Sequence, residues 1–448
     1  MTSMRFLHPA APAAGRVPRP LPKVRVTHFV PLAMFFALVC TPGFTSVGPV
    51  NMSVGMFPIV LYGYSAAARE AYNSLMPGAR QVLTFILGVI LAICGWNFVT
   101  AFGAEEFIRV FRPIYGHASG LAIVIAILAL SRSMDGAKKA RVMCLIIMAV
   151  SLGSTVLIAP RSYNDRYPGF FKHPNQLGLI AAMATLYFFC EMMSARGRQR
   201  LWLALGLVLS AYAMLLSGSK TNLLIVAALC VCSVPLLAFQ RLNIRAALNE
   251  TYRNLIVAGG MLFIGGMALS LTSERAFNVL STLLSGEQEV EQYHSINSRD
   301  HLWEESWQQG TAHPLTGVGS GQLMLDGTEH SHNVLLDALR TTGFPGLGLT
   351  LLFIFAILFY ALGAYKAARA LQRQSGSRQF VSEVRGSLVG SLLALMSYIL
   401  ANQMSDSFGP TTIPFFYMYL GFSLTFFLPA EPGTSFVRAC RSDTLPQR

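Results

Sequence analysis

Residues 343–364 read GFPGLGLTLLFIFAILFYALGA, an apolar run without a charged side chain. About 20 such residues form a helix that can cross the roughly 30 Å hydrocarbon core of a bilayer. Similar runs recur from residue 27 to residue 429, and the composition agrees, with 53% hydrophobic and 12% charged residues. A soluble surface needs roughly twice that charge. The sequence therefore predicts an all-α polytopic membrane protein.

The chain is predicted to contain about twelve transmembrane helices. Nine fall within residues 27–272 and three within residues 343–429, at 27–46, 49–66, 80–101, 116–131, 140–158, 174–193, 200–216, 220–238, 253–272, 343–364, 385–403 and 411–429. The weakest run, 49–66, could instead be re-entrant. Residues 273–342 form one long loop between the ninth and tenth helices, and residues 1–26 and 430–448 form two tails.

The distribution of basic residues orients the chain, because Lys and Arg are retained on the cytoplasmic side of short loops. With the N-terminus inside, 25 of the 34 Lys and Arg residues fall on the cytoplasmic side. Both tails are therefore predicted to be cytoplasmic, and the long loop is predicted to face outward from an inner membrane. The net charge of +13 then reflects topology and does not indicate nucleic-acid binding. No cysteine falls in an outward loop, so no disulfide framework is expected.

Residues 294–346 are a polar, histidine-bearing segment in an otherwise apolar chain. Leu302, Trp303, Ser306 and Trp307 recur at a helical period, which predicts an amphipathic helix resting on the bundle. Short amphipathic helices of this kind are expected within the long loop.

The segment HSHN at residues 330–333 precedes a Leu-rich helix. Ser331 is a plausible N-cap for that helix, which would place His332 in its first turn. Asp337 and Arg340 are spaced for a structural i, i+3 ion pair.

Two other outward segments carry cations beside turn residues. Residues 159–173 contain Arg161, Arg166 and Lys172 among aromatic residues, and Lys220 lies in the short turn Ser217-Gly-Ser-Lys220. Arginine and lysine can grip a phosphate, and a cation close to hydrocarbon is costly unless it has a partner. These cations are therefore candidate ligands for an anionic headgroup. The alternative is an interfacial aromatic belt with cations that extend towards water.

Histidines gather on the outer side of this topology, where seven of the nine lie: His117, His173, His294, His301, His313, His330 and His332. Imidazole is suited to taking a proton from a hydroxyl, and arginine to neutralising a diphosphate leaving group. Together they suit glycosyl transfer from a lipid diphosphate. No metal or cofactor is expected, because an i, i+2 histidine pair cannot face one zinc ion from a regular helix and no HExxH spacing is present.

The order of these motifs resembles the O-antigen ligase and polymerase superfamily. The resemblance rests on the Ser217–Lys220 turn, Arg299 followed by Trp303, HPLTGVG at 313–319, His332-Asn333 ahead of a Leu-rich helix, and Gly343 to Gly346. The KHPN of residues 172–175 is also similar to a family element. The resemblance implies an enzyme that moves a glycan from undecaprenyl diphosphate to lipid A core at the periplasmic face, without a metal.

By the same resemblance, His332 would be the catalytic histidine that activates the acceptor hydroxyl, and Arg299 would bind the diphosphate. The other predicted substrate-binding residues are Lys220, Arg161, Arg166, Lys172, His330 and Asn333. Lys220 departs from the family pattern, which usually has arginine there. Lysine keeps the charge but loses the bidentate fork.

Other functions remain open at this stage. A polymerase would use the same donor and add repeat units to a growing glycan, and a protein-glycosylating relative would use a third acceptor. A twelve-helix secondary transporter belongs to a different class. It predicts related halves and charges near the membrane midplane, and the sequence shows neither feature.

Overall fold

The computed structural model describes residues 66–73, 75, 77–102, 104, 108–133, 167–169, 171, 173–195, 199–238, 245, 249, 252, 256, 293–327, 330–375, 378–403 and 412–427. Throughout these residues the regular secondary structure is α-helical, which confirms the predicted class. The predicted spans 27–46, 49–66, 140–158 and 253–272 lie wholly or almost wholly outside the described residues. The total of about twelve spans therefore stays a prediction.

Ten helices make up the described part of the chain: α1 (Ala66–Asn73), α2 (Pro77–Thr100), α3 (Ile108–Ser133), α4 (Pro174–Ser194), α5 (Gln199–Leu216), α6 (Lys220–Ala238), α7 (Tyr293–Ala312), α8 (Val334–Ser375), α9 (Arg378–Ala401) and α10 (Ile413–Thr425). Five of them, α2, α4, α5, α6 and α8, are long and apolar enough to cross a membrane. Shorter apolar segments lie in α3, α9 and α10. Each of these eight helices falls on a predicted span.

Helix α4 is the centre of one half of the bundle. All of its residues are buried, and α5, α6 and α9 pack around it. A helix that is apolar on every face is expected to occupy such a position. Helix α9 approaches it closely, because a Cβ atom at Gly386 would lie 2.6 Å from the carbonyl oxygen of Cys190. Small residues at such a contact allow two membrane helices to meet at their backbones.

The helix ends that carry the predicted site residues gather at one end of the bundle, which we term the site end. Gly386 and Gly390, early in α9, lie against the late α4 residues Cys190 and Tyr187, so the two helices are antiparallel and α9 ends beside the start of α4. The start of α8 joins that end of α9, because the Val334 amide donates to the Asn402 carbonyl oxygen at 3.0 Å. The predicted topology requires the same grouping of helix ends.

Helix α8 is interrupted at Gly343, where φ is 67° and ψ is −168°. The residues before this kink, Val334 to Thr342, belong to the predicted loop, and the apolar span follows it. The turn segment 313–321 packs against the kink. Pro314 accepts a hydrogen bond from the Phe344 amide at 2.8 Å, and the Val318 amide donates to the Arg340 carbonyl oxygen at 2.7 Å. The HPLTGVG motif therefore fixes the angle between the two parts of α8.

Helix α7 confirms the predicted amphipathic helix and corrects its buried face. Leu302 and Ser306 are buried as expected, but Trp307 is 53% exposed and Glu305 is buried in its place. Glu305 accepts hydrogen bonds from the Gln309 side chain at 2.7 Å and from the Leu325 amide at 2.8 Å. Both donors bond the same oxygen, Oε1, and these two hydrogen bonds offset part of the cost of burying the carboxylate. The tryptophan at this position lies on the outer surface of α7.

A histidine cavity at the site end

A cavity of about 220 Å³ opens at the site end of the bundle. Its wall combines residues from five parts of the chain: Trp96 and Asn97 of α2, His117 of α3, His330 and His332 of the segment before α8, Asp337 and Thr350 of α8, and Asn402 after α9. Ile90, Ile93 and Phe353 supply an apolar floor. We call this space the histidine cavity. Two of the predicted site histidines therefore share one concave surface, the usual setting for chemistry.

His332 is held in an unusual backbone conformation. Its φ of 61° is the one positive value at a residue other than glycine in the described part of the chain. The left-handed region costs roughly 1–2 kcal/mol for such a residue, and residues held there cluster at functional sites. This conformation turns the chain sharply just before α8. His332 lies two residues before Val334, the first residue of the helix.

The helix cap differs from the prediction. Asn333, and not Ser331, caps α8, because its side-chain oxygen accepts from the amides of Leu335 at 3.0 Å and Leu336 at 3.2 Å. The expected position of His332 in the first turn is therefore wrong. Asparagine is as good an N-cap as serine, and with Asn333 as the cap the helix begins two residues later than predicted, at Val334.

Three contacts fix the segment that carries the histidines. The Trp303 indole of α7 donates to the Ser331 carbonyl oxygen at 2.9 Å, and the Ser331 amide donates to the Asp337 carboxylate at 2.8 Å. Arg340 lies 3.9 Å from Asp337, which confirms the predicted i, i+3 pair. The Arg340 guanidinium is buried and also donates to the carbonyl oxygens of Gln322 and Leu323. The segment that carries His332 is thus held through Ser331 to both α7 and α8.

Arg299 lies in α7, one helical turn before Trp303, and is partly buried. Residues four apart share one face of a helix. Arg299 therefore lies on the same face of α7 as Trp303, whose indole contacts Ser331. Burial lowers the pKa of the Arg299 guanidinium from its ordinary value. Arg299 is not among the residues that line the cavity.

Lys220 begins α6, also at the site end. The turn before it packs against the start of α4, where the Asn222 side-chain nitrogen lies 3.4 Å from the Asn175 carbonyl oxygen. The His173 side chain caps α4 by accepting from the Asn175 amide at 3.2 Å. Residues 173–175 and 217–222 therefore meet at one place. Lys220 does not line the histidine cavity, and Arg161, Arg166 and Lys172 lie outside the described residues.

Sequence reasoning missed Asn402 entirely and assigned no role to His117. His117 stood among the outward histidines, whereas Asn402 ends an apolar span and carries no distinguishing motif. Both line the cavity in the structure. Their positions depend on the packing of α3 and α9, which no local pattern reveals.

Residues 205–351 match the family model described as O-antigen ligase. This match, which covers about a third of the chain, supports the O-antigen ligase superfamily. The match covers Lys220, Arg299, His330, His332 and Asn333, and it ends before Asn402. Proteins of this superfamily are membrane glycosyltransferases of the ligase and polymerase type, so lipid-linked glycans are the class of substrate. No curated protein matches the chain.

The superfamily assignment agrees with what the cavity can do chemically. An imidazole at the wall of a partly enclosed space can take a proton from a bound hydroxyl. Within the residues that the structure describes, no three His, Cys, Asp or Glu side chains are grouped to hold a metal ion. The histidines of the described cavity are groups that can perform acid–base chemistry.

Proposed function

We propose that this protein is an O-antigen ligase that transfers a glycan from undecaprenyl diphosphate to lipid A core. The observation that carries the proposal is the setting of His332. It lines a cavity, has a left-handed backbone, and sits on a segment bonded to α7 and α8. A catalytic base needs such fixed placement, because a misplaced group loses much of the advantage of proximity.

In the proposed reaction, the acceptor hydroxyl oxygen attacks the anomeric carbon of the donor glycan. The new glycosidic bond forms as the bond between that carbon and the diphosphate oxygen breaks. His332 takes the hydroxyl proton, and undecaprenyl diphosphate leaves with the electron pair. The step needs no oxidant or metal ion, in keeping with the chemistry of a general base.

The proposed ligands for the donor diphosphate are Arg299 and Lys220, with His330 and Asn333 beside the acceptor and with Arg161, Arg166 and Lys172 as further cations. Arg299 and Lys220 support this role because both lie at the site end, where positive charge would stabilise a diphosphate leaving group. The site end is proposed to face the periplasm, with both termini in the cytoplasm. The domain boundaries given above and the location in the inner membrane are part of the same proposal.

The test is a reaction with purified protein, undecaprenyl-diphosphate-linked glycan and rough lipopolysaccharide, which is lipid A with core and no O-antigen. We expect glycan on the core, and a loss of about 10²- to 10⁴-fold in kcat for His332→Ala, the usual contribution of a general base. His313→Ala is the matched control, because His313 is exposed and does not line the cavity.

Three results would speak against the proposal. A lengthened donor with no product on the core would mean a polymerase. Equal activity of His332→Ala and His313→Ala would remove the catalytic assignment. If the protein shows a cooperative thermal unfolding transition and yet gives no product with any acceptor, the result would favour a transporter.

A further inference from the structure

Asn402 lines the histidine cavity and carries a side-chain acceptor that no described residue uses. Its side chain is 1% exposed, and its side-chain nitrogen donates to the Tyr398 carbonyl oxygen at 2.6 Å. The side-chain oxygen has no hydrogen-bond partner among the described residues. Turning the amide over would set that oxygen against the Tyr398 carbonyl oxygen, so the hydrogen bond fixes the orientation. A buried polar atom without a partner is costly and calls for an explanation.

Asn402 is also close to the catalytic segment. Its carbonyl oxygen accepts from the amide of Val334, two residues beyond His332. This bond ties the end of α9 to the start of α8. A group held by Asn402 would therefore lie beside the proposed base.

His117 brings a second polar group to the wall, from α3. Its Nδ1 lies 2.9 Å from the Tyr417 hydroxyl, and the two rings are nearly perpendicular, with centroids 5.8 Å apart. A phenol can donate or accept, so the direction of this bond depends on the histidine tautomer. In the tautomer whose Nδ1 accepts from Tyr417, the ring carries its proton on Nε2 and offers an N–H donor. The absence of a side chain at Gly120 makes room for it, because a Cβ atom there would lie 2.1 Å from the Tyr417 ring.

The charge of the cavity indicates what kind of ligand it takes. None of the described residues in its wall is Lys or Arg. Its one carboxylate, Asp337, is already paired with Arg340 and with the Ser331 amide. A diphosphate needs cationic partners, so this wall does not suit the donor headgroup. A neutral ligand that both donates and accepts hydrogen bonds suits it better.

We propose that His117 and Asn402 form a hydroxyl-binding subsite that holds the acceptor sugar against His332. A sugar hydroxyl can donate to the Asn402 oxygen while a sugar oxygen accepts from the His117 Nε2–H. The volume of about 220 Å³ exceeds the roughly 10–15 Å³ that one water needs and is below the roughly 300–1,000 Å³ of drug-sized pockets. The space therefore fits one sugar unit. The subsite rests on the proposed function and lies outside the matched segment 205–351.

The experiment measures binding apart from turnover. Core oligosaccharide released from lipid A is titrated into full-length protein in nanodiscs, and its Kd is measured by calorimetry. Asn402→Leu and His117→Phe should each raise this Kd about five- to tenfold, the cost of one lost neutral hydrogen bond. Tyr417→Phe should raise it less, because it frees the His117 ring and leaves the imidazole in place. The KM for the lipid-linked donor should not change in any of the three variants.

Ser397→Ala is the control variant. Ser397 is buried in α9 near Asn402, and its hydroxyl donates to the Ala394 carbonyl oxygen without lining the cavity. Its Kd for the oligosaccharide should equal that of the wild type.

The outcomes separate the subsite from the transferase. A raised Kd in Asn402→Leu supports the subsite even if no glycan is transferred, in which case only the proposed function fails. Equal Kd values in wild type, Asn402→Leu and His117→Phe overturn the subsite even if transfer proceeds. A rise in donor KM that matches the rise in Kd also overturns it, because the two residues would then serve the donor or the fold.

Discussion

Gly343→Ala should destabilise the protein by disturbing the kink in α8. The backbone at Gly343 has φ 67° and ψ −168°, a region that is essentially restricted to glycine. A Cβ atom there would also lie 2.6 Å from the Pro314 carbonyl oxygen. Alanine must therefore either adopt a strained backbone or push the turn segment 313–321 away from the helix.

The size of the effect follows from these two costs. Strain in this backbone region amounts to about 1–3 kcal/mol. Displacing the turn would weaken the Phe344–Pro314 and Val318–Arg340 hydrogen bonds, each of which contributes roughly 0.5–1.5 kcal/mol. We expect a total loss of about 2–6 kcal/mol. Since 1 kcal/mol shifts Tm by roughly 2 °C or somewhat less in a chain of this size, the melting temperature should fall by several degrees.

The assay is thermal unfolding of the purified protein in detergent, with glycan transfer measured on the same sample. Gly348→Ala is the control, because Gly348 lies five residues further along α8, with nothing within 4 Å of a Cβ atom and no positive φ. Alanine there should leave Tm unchanged or raise it slightly, since it favours a helix interior. Equal Tm values for Gly343→Ala and Gly348→Ala would refute the argument.

Two further changes address the segment that carries His332. Trp303→Phe removes the indole donor to Ser331, so glycan transfer should fall while helix content stays the same. Trp307→Phe, on the exposed face of the same helix, should leave transfer unaffected. Equal transfer activities of the two variants would show that the Trp303–Ser331 hydrogen bond does not position His332. Asn333→Ala should cost about 0.5–2 kcal/mol of stability by loss of the cap, and Asn333→Ser should recover most of it in the same melting assay. Full stability but lost transfer in Asn333→Ser would instead mean that Asn333 contacts substrate.

Hydrophobic runs predicted the helices well because lipid imposes a strong constraint on composition. The predicted spans 174–193, 200–216 and 220–238 agree with α4, α5 and α6 to within one residue at each end. The motif order and the distribution of basic residues also predicted one shared side for the site residues. Among the described residues, Lys220, His330 and His332 lie at the site end, whereas Arg161, Arg166 and Lys172 lie outside the described residues. These features depend on local composition, and a single sequence carries that information.

The errors arose where a position depends on tertiary contacts. Trp307 matches the apolar period of α7 but is exposed. Glu305 is buried instead, and its carboxylate accepts a hydrogen bond from the Leu325 amide. Ser331 matches the residue preference of an N-cap, but its amide donates to Asp337, and the residue that caps the helix is Asn333. In both cases a hydrogen bond to a residue several positions away outweighed the local preference.

The histidine cavity shows why a family motif can indicate a candidate base without indicating the residues around it. His332 lies in the segment that resembles the superfamily, but the wall around it comes from distant parts of the chain. The opposite wall includes His117 of α3 and Asn402, which directly follows α9. Polar groups in apolar helices are costly unless they serve packing or a ligand. Asn402 keeps a buried side-chain oxygen without a partner among the described residues, and the proposed acceptor subsite would give that oxygen a partner.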